Sequence, residues 1–217
     1  MLGEMYPNIL LMIIDKVGNL CENGTMRKNN EKSTVYIVHG YTSSSKDEWF
    51  PWLKGKLIEK GINVIVFDMP NSNSPIVTEW DEFLGKNIDL VNESTYFVGH
   101  SLGCVTLLRY FNNQNCETKI GGAILVSGFI CQNPKYPFMD SFVNKNLDIE
   151  KIIGMVKNRC VISSPNDIYV PYEFSCELAK RFDAELLTIK NGGHFIGQEG
   201  YFKFPQVFDE IMKMTNK

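Results

Sequence analysis

Val98-Gly99-His100-Ser101-Leu102-Gly103-Cys104 is a Gly-x-Ser-x-Gly pattern that follows an apolar run, Thr95–Val98, and precedes a helix-like stretch, Val105–Phe111. The order predicts a strand, a sharp turn and a helix. A serine at the apex of such a turn is lifted clear of the sheet, and the flanking glycines have no Cβ to collide where strand and helix pass closely. The pattern also occurs in ordinary glycine-rich turns, so its setting is what makes Ser101 a candidate nucleophile.

A serine nucleophile needs a base and a group that orients the base. For this kind of turn the three residues follow the order Ser, acid, His along the chain. His194 lies in a glycine loop after the strand-like residues 185–189, and it is the only one of three histidines that follows Ser101. Asp167 follows an apolar run, 160–162. We therefore predict a catalytic triad of Ser101, Asp167 and His194, in which Asp167 orients the base and stabilises its cation.

These residues also have ordinary structural interpretations. The alternative for His194 is an ordinary surface-loop histidine. The alternative for Asp167 is a turn or helix-cap residue. Asp68, at the end of the second predicted strand, is a rival acid that we rank below Asp167. His39 is interpreted as a loop brace and His100 as a packing residue.

An oxyanion hole is predicted from the loop that follows the first strand. Gly40-Tyr41 comes after the apolar run 34–38, so the backbone N–H near Tyr41 can join the N–H of Leu102 in facing a developing oxyanion.

Aromatic residues near these loops are candidates for the substrate pocket. The candidate substrate-binding residues are Gly40, Trp49, Phe129 and Phe138. The alternative for Trp49 is that it anchors the following helix on the sheet. Residues 128–148 are rich in Pro, Asn and aromatics, and they form either a cap over the site or an ordinary long connection whose aromatics fill the core.

Strand-like runs alternate with helix-like segments along the chain. The runs lie at about 34–38, 63–67, 95–98, 122–127, 160–163 and 185–189. This alternation predicts one α/β domain with a mainly parallel, six-stranded sheet that carries helices on both faces.

Several motifs together carry a resemblance to a known family. They are His39-Gly40, Gly99-His100-Ser101-Leu102-Gly103, Asn166-Asp167 with Val170-Pro171, and Gly193-His194-Phe195, and in addition 35–42, 49–53 and 68–71. The set resembles the α/β-hydrolases and, more narrowly, the small serine hydrolases of the YdeN / retinoblastoma-binding-protein-9 family, over about residues 33 to 215. The resemblance implies local strand order 2-1-3-4-5-6 and carboxylesterase-type activity.

The domain organisation predicted is an N-terminal extension, 1–32, followed by the hydrolase domain, 33–217. The extension lies outside the resemblance. Its apolar residues between Tyr6 and Leu20 indicate a docked helix, and the polar stretch Glu22–Lys32 indicates a tether. A homodimer through this extension is one arrangement that it allows.

Composition narrows the function classes. The chain has 217 residues, of which 44% are hydrophobic, and a net charge of -3, so we expect one globular domain that does not bind nucleic acid. No stretch reaches the roughly 18 apolar residues that span a bilayer, and we expect a cytoplasmic chain without a membrane segment. The six cysteines lack metal-ligand spacing, and we expect no metal and no cofactor.

Two classes of function remain open at this stage. The first is a serine hydrolase that cleaves a small ester, thioester or amide in a small-molecule acyl substrate. The second is a non-catalytic protein-interaction module that retains the fold. An acyltransferase with the same triad is a third alternative.

Overall fold

The computed structural model describes residues 32–89, 91–143 and 146–216. The expectation of a docked helix and tether in residues 1–32 therefore lies outside the described residues, apart from Lys32. Within the described part, six strands alternate with six α-helices. In chain order they are β1 (Thr34–Val38), α1 (Phe50–Glu59), β2 (Asn63–Val66), α2 (Val77–Asn87), β3 (Thr95–His100), α3 (Leu102–Asn112), β4 (Ile120–Val126), α4 (Ile149–Met155), β5 (Val156–Ser163), α5 (Tyr172–Arg181), β6 (Glu185–Thr188) and α6 (Pro205–Thr215).

The six strands form one sheet in the order β2-β1-β3-β4-β5-β6, and every neighbouring pair is parallel. The predicted order 2-1-3-4-5-6 is confirmed. The direction of winding reverses between β1 and β3, which pair from Thr34 with Thr95 to Val38 with Gly99. Open parallel sheets bind ligands where the winding reverses, beyond the carboxyl ends of the strands. The loops that follow β1 and β3 meet at this position.

Both faces of the sheet are covered. One apolar cluster joins the sheet to α2, α3, α4 and α5, and a second cluster joins the other face to α1 and α6. Along β3, Phe97 belongs to the first cluster while Tyr96 and Val98 belong to the second. All residues of β3 and β4 are buried. Burial on both faces explains why these strands are apolar almost without interruption.

β4 and β5 begin earlier than the apolar runs predicted, at Ile120 and Val156. The added residues are mostly glycine or polar, so they carry little strand signal of their own. Gly122 pairs with Asn158 in the parallel ladder, and a Cβ at Gly121 would lie 2.4 Å from the Glu93 carbonyl oxygen. Close approach of another backbone explains the glycine at position 121.

The aromatic residues described in the connection at 128–148 lie in two different places. Its described residues contain one 3-10 turn, Pro137–Met139, ahead of α4. Phe142 is fully buried and packs edge-on against Trp80, with ring centroids 5.4 Å apart. Phe129 and Tyr136 instead line the main cavity. Across the ranges described, none of the helices has the length and apolar character needed to cross a membrane.

Candidate active site

Ser101 stands at the turn between β3 and α3 in a strained backbone conformation, with φ 52° and ψ -119°. Its N–H donates to the Val126 carbonyl at 2.8 Å, which fixes the turn to β4. A Cβ at Gly103 would lie 2.2 Å from the Val38 carbonyl oxygen, so only glycine allows α3 to pass this close to β1. A strained residue that its surroundings hold in place is typical of a functional site.

Asp167 and His194 form a hydrogen-bonded pair, with Oδ2 of Asp167 2.8 Å from Nδ1 of His194. The Asp167 side chain has no exposed surface. Its Oδ1 accepts the backbone N–H groups of Tyr169 at 2.8 Å and Val170 at 2.9 Å, and Oδ2 also accepts the Ser127 hydroxyl at 2.8 Å. Burial opposes ionisation of Asp167, but the hydrogen bond from His194 and its nearby charge outweigh burial, and the pKa of Asp167 is lowered. The carboxyl group is therefore ionised at neutral pH.

Ser101 and His194 line the same cavity, which has a volume of about 680 Å³. Because Nδ1 of His194 is engaged by Asp167, Nε2 is the nitrogen left to act in the cavity. The other lining side chains fall into an apolar and aromatic group that includes Phe129, Tyr136, Met139, Tyr169 and Val170, and a polar group that includes Ser43, Lys46, Asp47, Glu48 and Gln198. A cavity of this size suits a small molecule.

The loop that carries His194 is held by side chains from distant parts of the chain. Glu199 accepts the His194 N–H at 2.7 Å, and Nε2 of His100 donates to the His194 carbonyl at 2.8 Å. Nε1 of Trp49 donates to the Phe195 carbonyl at 3.1 Å. Phe195 is itself fully buried at φ 59°, a conformation rare for an aromatic residue. The backbone position of the predicted base is therefore fixed independently of its bond to Asp167.

Glu48 gives the same loop a further attachment. Its carboxylate accepts the backbone N–H of Gly197, and it lies in the cavity wall at φ 53°. Burial raises the pKa of Glu48.

The predicted oxyanion groups lie around Ser101. A Cβ at Gly40 would lie 2.9 Å from Cβ of Ser101, so the loop after β1 touches Ser101, and Tyr41 is the next residue. Leu102 begins α3, and the first N–H groups of a helix have no partner within that helix. Gly40 and Tyr41 line the cavity, while the Leu102 side chain is buried and does not line it.

The prediction that Trp49 binds substrate is wrong. Trp49 has no exposed surface, and its ring packs against Phe50 and Phe204 at 4.5 and 5.3 Å. It anchors α1 and the His194 loop, because its side chain faces the sheet and not the cavity. Phe138 is half-exposed, packs 4.9 Å from the Tyr41 ring and is not among the residues that line the cavity. Gly40 and Phe129 do line it.

The rival acid Asp68 and His39 are not among the residues that line the cavity. Asp68 is exposed and accepts the backbone N–H and hydroxyl of Ser45 at 2.7 and 3.0 Å. His39 is fully buried and joins the loop after β1 to the residues after β2, since Nδ1 donates to the Gly40 carbonyl at 2.8 Å and Nε2 accepts the Met69 N–H at 3.0 Å. This is the arrangement of a loop brace.

Sequence reasoning missed Ser127, Glu48 and Glu199. Ser127 precedes Gly128 after an apolar strand, which is typical of any turn, and Glu48 and Glu199 are separated from His194 by loops of no recognisable motif. Their roles follow from contacts that only the folded chain makes. Among the described residues, no cluster of three or more His, Cys, Asp or Glu side chains could hold a metal ion.

The burial of His100 predicts how the stability of the protein changes at acid pH. It is almost fully buried, and burial, with a smaller effect from His194, lowers its pKa to about 3. An unfolded histidine protonates near 6.5, so between these values the unfolded chain binds more protons. The free energy of unfolding should therefore fall as the pH is lowered through this window, by up to about 1.4 kcal/mol per pH unit from this residue.

Urea unfolding between about pH 4 and pH 7 measures this slope. His100→Gln, which keeps an N–H donor near the His194 carbonyl, should show a shallower slope than the wild type. Equal slopes in both proteins would contradict a buried, neutral His100.

A six-stranded parallel sheet in this order, with helices on both faces and a serine elbow after β3, is the architecture of an α/β hydrolase. A sequence model of the family described as Serine hydrolase matches residues 35–213. YdeN of Bacillus subtilis (strain 168) is 40% identical over 183 residues, which are 84% of this chain and 96% of YdeN. The chain therefore belongs to the serine hydrolase family.

Two further similarities agree with this assignment. The serine hydrolase RBBP9 of Rattus norvegicus is 24% identical over 170 residues, which are 77% of this chain and 89% of RBBP9. The crystal structure of the ydeN gene product from B. subtilis matches with a TM-score of 0.83 and 39% identity, and it covers 86% of this chain and 100% of that one.

Proposed function

We propose that this serine hydrolase cleaves a small carboxylic ester, thioester or amide through an acyl-enzyme on Ser101. His194 is the general base and Asp167 the group that orients it. The observation that carries the proposal is the 2.8 Å bond between Asp167 and Nδ1 of His194, at a cavity that Ser101 also lines.

In the acylation half, Oγ of Ser101 attacks the substrate carbonyl while Nε2 of His194 takes the hydroxyl proton. The oxyanion that forms faces the backbone N–H groups of Tyr41 and Leu102. Removing one such donor typically costs about 3 kcal/mol of transition-state stabilisation. His194 then gives its proton to the leaving group, and the acyl group stays on Ser101.

In the deacylation half, His194 takes a proton from water, and the hydroxide adds to the acyl carbonyl. The second oxyanion collapses, the carboxylic acid leaves, and the proton returns to Ser101. Asp167 stays ionised throughout and stabilises the imidazolium of His194. Its buried position and lowered pKa suit this role.

The size and lining of the cavity favour a small-molecule substrate. The apolar group of lining residues, with Phe129 and Tyr169, offers a surface for an acyl chain, while Tyr41 and Gln198 offer polar contacts. An acyltransferase differs only in the nucleophile that resolves the acyl-enzyme, so product analysis distinguishes it from a hydrolase.

Labelling with a fluorophosphonate probe, followed by mapping of the modified residue, tests the proposal. We expect one label on Ser101, and none in Ser101→Ala. Ser175→Ala is a matched control, because Ser175 is buried and its hydroxyl donates to the Gly128 carbonyl at 2.8 Å. A natively folded wild type that takes no label would instead favour the interaction module.

A further inference from the structure

Ser127 occupies an unusual place directly after β4. It is fully buried, yet its backbone has φ 47°, a conformation that costs free energy in residues other than glycine. Its N–H donates to the Ile162 carbonyl at 2.9 Å, which extends the contact between β4 and β5. Its hydroxyl donates to Oδ2 of Asp167 at 2.8 Å.

A glycine would adopt this backbone conformation without strain. The feature that serine adds at position 127 is its hydroxyl, and the partner of that hydroxyl is the triad acid. The same Oδ2 atom accepts the hydrogen bond from Nδ1 of His194. The Asp167 carboxylate thus has two backbone donors on Oδ1, and on Oδ2 one donor from Ser127 besides the histidine.

These four donors determine how the carboxylate is oriented. The backbone N–H groups of Tyr169 and Val170 hold Oδ1 from within the Asp167 loop itself. The Ser127 hydroxyl holds Oδ2 from a neighbouring strand end. Without it, Oδ2 would have no donor besides His194, the residue that Asp167 itself must orient.

We propose that Ser127 is a positioning residue for the reaction, and that it holds Oδ2 of Asp167 in line with Nδ1 of His194. The inference rests on the proposed function of the triad. Ser127 does not touch the reacting atoms and acts through Asp167.

The hydroxyl has an electrostatic effect as well as a geometric one. A donor to a carboxylate favours the charged form, and the Ser127 hydrogen bond contributes to lowering the pKa of Asp167. Without this donor, the Asp167 carboxylate binds a proton more strongly. Less of its ionised, active form is then present at low pH, so the acid limb of the kcat/KM profile moves to higher pH.

Other ionisable groups act on the pair and are unchanged by a substitution at Ser127. His100 interacts electrostatically with both Asp167 and His194, and Glu48, beside Glu199, interacts with His194. A shift of the acid limb in a Ser127 variant therefore reports the lost hydroxyl.

The test compares Ser127→Ala, which keeps the strain, with Ser127→Gly, which removes both strain and hydroxyl. Each should lower kcat about 10- to 100-fold, as expected for one hydrogen bond to a charged group, and leave KM nearly unchanged. Ser127→Gly should melt no lower than Ser127→Ala, because glycine fits the backbone. A Ser127→Gly protein that is at least as stable as Ser127→Ala, and that still has a lower kcat than the wild type, shows that the lost activity comes from positioning and not from folding.

Ser175→Ala is the matched control, since it removes a buried serine hydroxyl of the same bond length that does not reach the triad. It should keep the wild-type kcat and pH profile. The inference is overturned if the wild type is active and both Ser127 variants match it in kcat and in acid limb, or if Ser175→Ala loses as much as they do. A wild type that neither hydrolyses esters nor takes a fluorophosphonate label would overturn the proposed function instead.

Discussion

Ser101→Ala and His194→Ala should each nearly abolish turnover of a short-chain activated ester. A loss of roughly 10⁶-fold in kcat is expected from either change, and the double variant should lose little more, because nucleophile and base act as one unit. Steady-state kinetics with active-site titration measures both. The activity that remains should come from the oxyanion groups and from binding alone.

His39→Ala is the informative comparison for the base. The His39 ring bonds the Gly40 carbonyl in its own loop and the Met69 N–H after β2, so its loss should lower the stability of the protein and change kcat little. If His194→Ala kept near-native activity while a folded His39→Ala lost it, the base would have been assigned wrongly.

The sheet could be predicted from sequence because each buried strand is a short apolar run. β3 and β4 are covered on both faces, so nearly every position in them needs an apolar side chain. The strand order came from the resemblance, since apolar runs alone do not say which strands pair. The first residues of β4 and β5 escaped prediction because Gly121 and Asn158 are suited by close backbone approach and by pairing with Gly122, not by burial of apolar surface.

Part of the candidate site could likewise be predicted from the sequence, and part could not. Ser101 lies in a local motif, and the chain order of acid and base narrows the choice for their partners, so short-range information is enough to nominate them. Short-range information was not enough for Trp49. Its ring turns to the sheet because the direction of α1 depends on packing against Phe204, which is remote in sequence.

The loop of His194 depends on contacts with residues that are remote in sequence. His100, Trp49 and Glu48 each reach this loop from 94 to 149 residues away along the chain. Such contacts have no sequence signature, because any side chain with a suitable donor or acceptor could make them. They hold His194, the proposed base, next to Phe195, whose backbone is strained.

Asp167→Asn should keep the fold and lower kcat by about 10⁴-fold, the order of magnitude seen when a triad acid becomes an amide. The reason lies in the four donors around the carboxylate. An asparagine has one oxygen and one NH₂ group, so one pair of donors must face the NH₂. The backbone N–H groups of Tyr169 and Val170 cannot turn into acceptors, which places the oxygen on their side.

In the Asp167→Asn variant, the NH₂ group of the new side chain would then face Ser127 and His194. The Ser127 hydroxyl can rotate and accept, but Nδ1 of His194 can accept only when it carries no proton. The proton of the neutral ring then sits on Nε2, the nitrogen that must take the proton from Ser101. Asp68→Asn is the control, because exposed Asp68 contacts Ser45 and not the histidine. An Asp167→Asn protein that keeps its melting temperature and loses turnover supports the tautomer argument. Full activity in Asp167→Asn together with an inactive Asp68→Asn would transfer the role of the acid to Asp68.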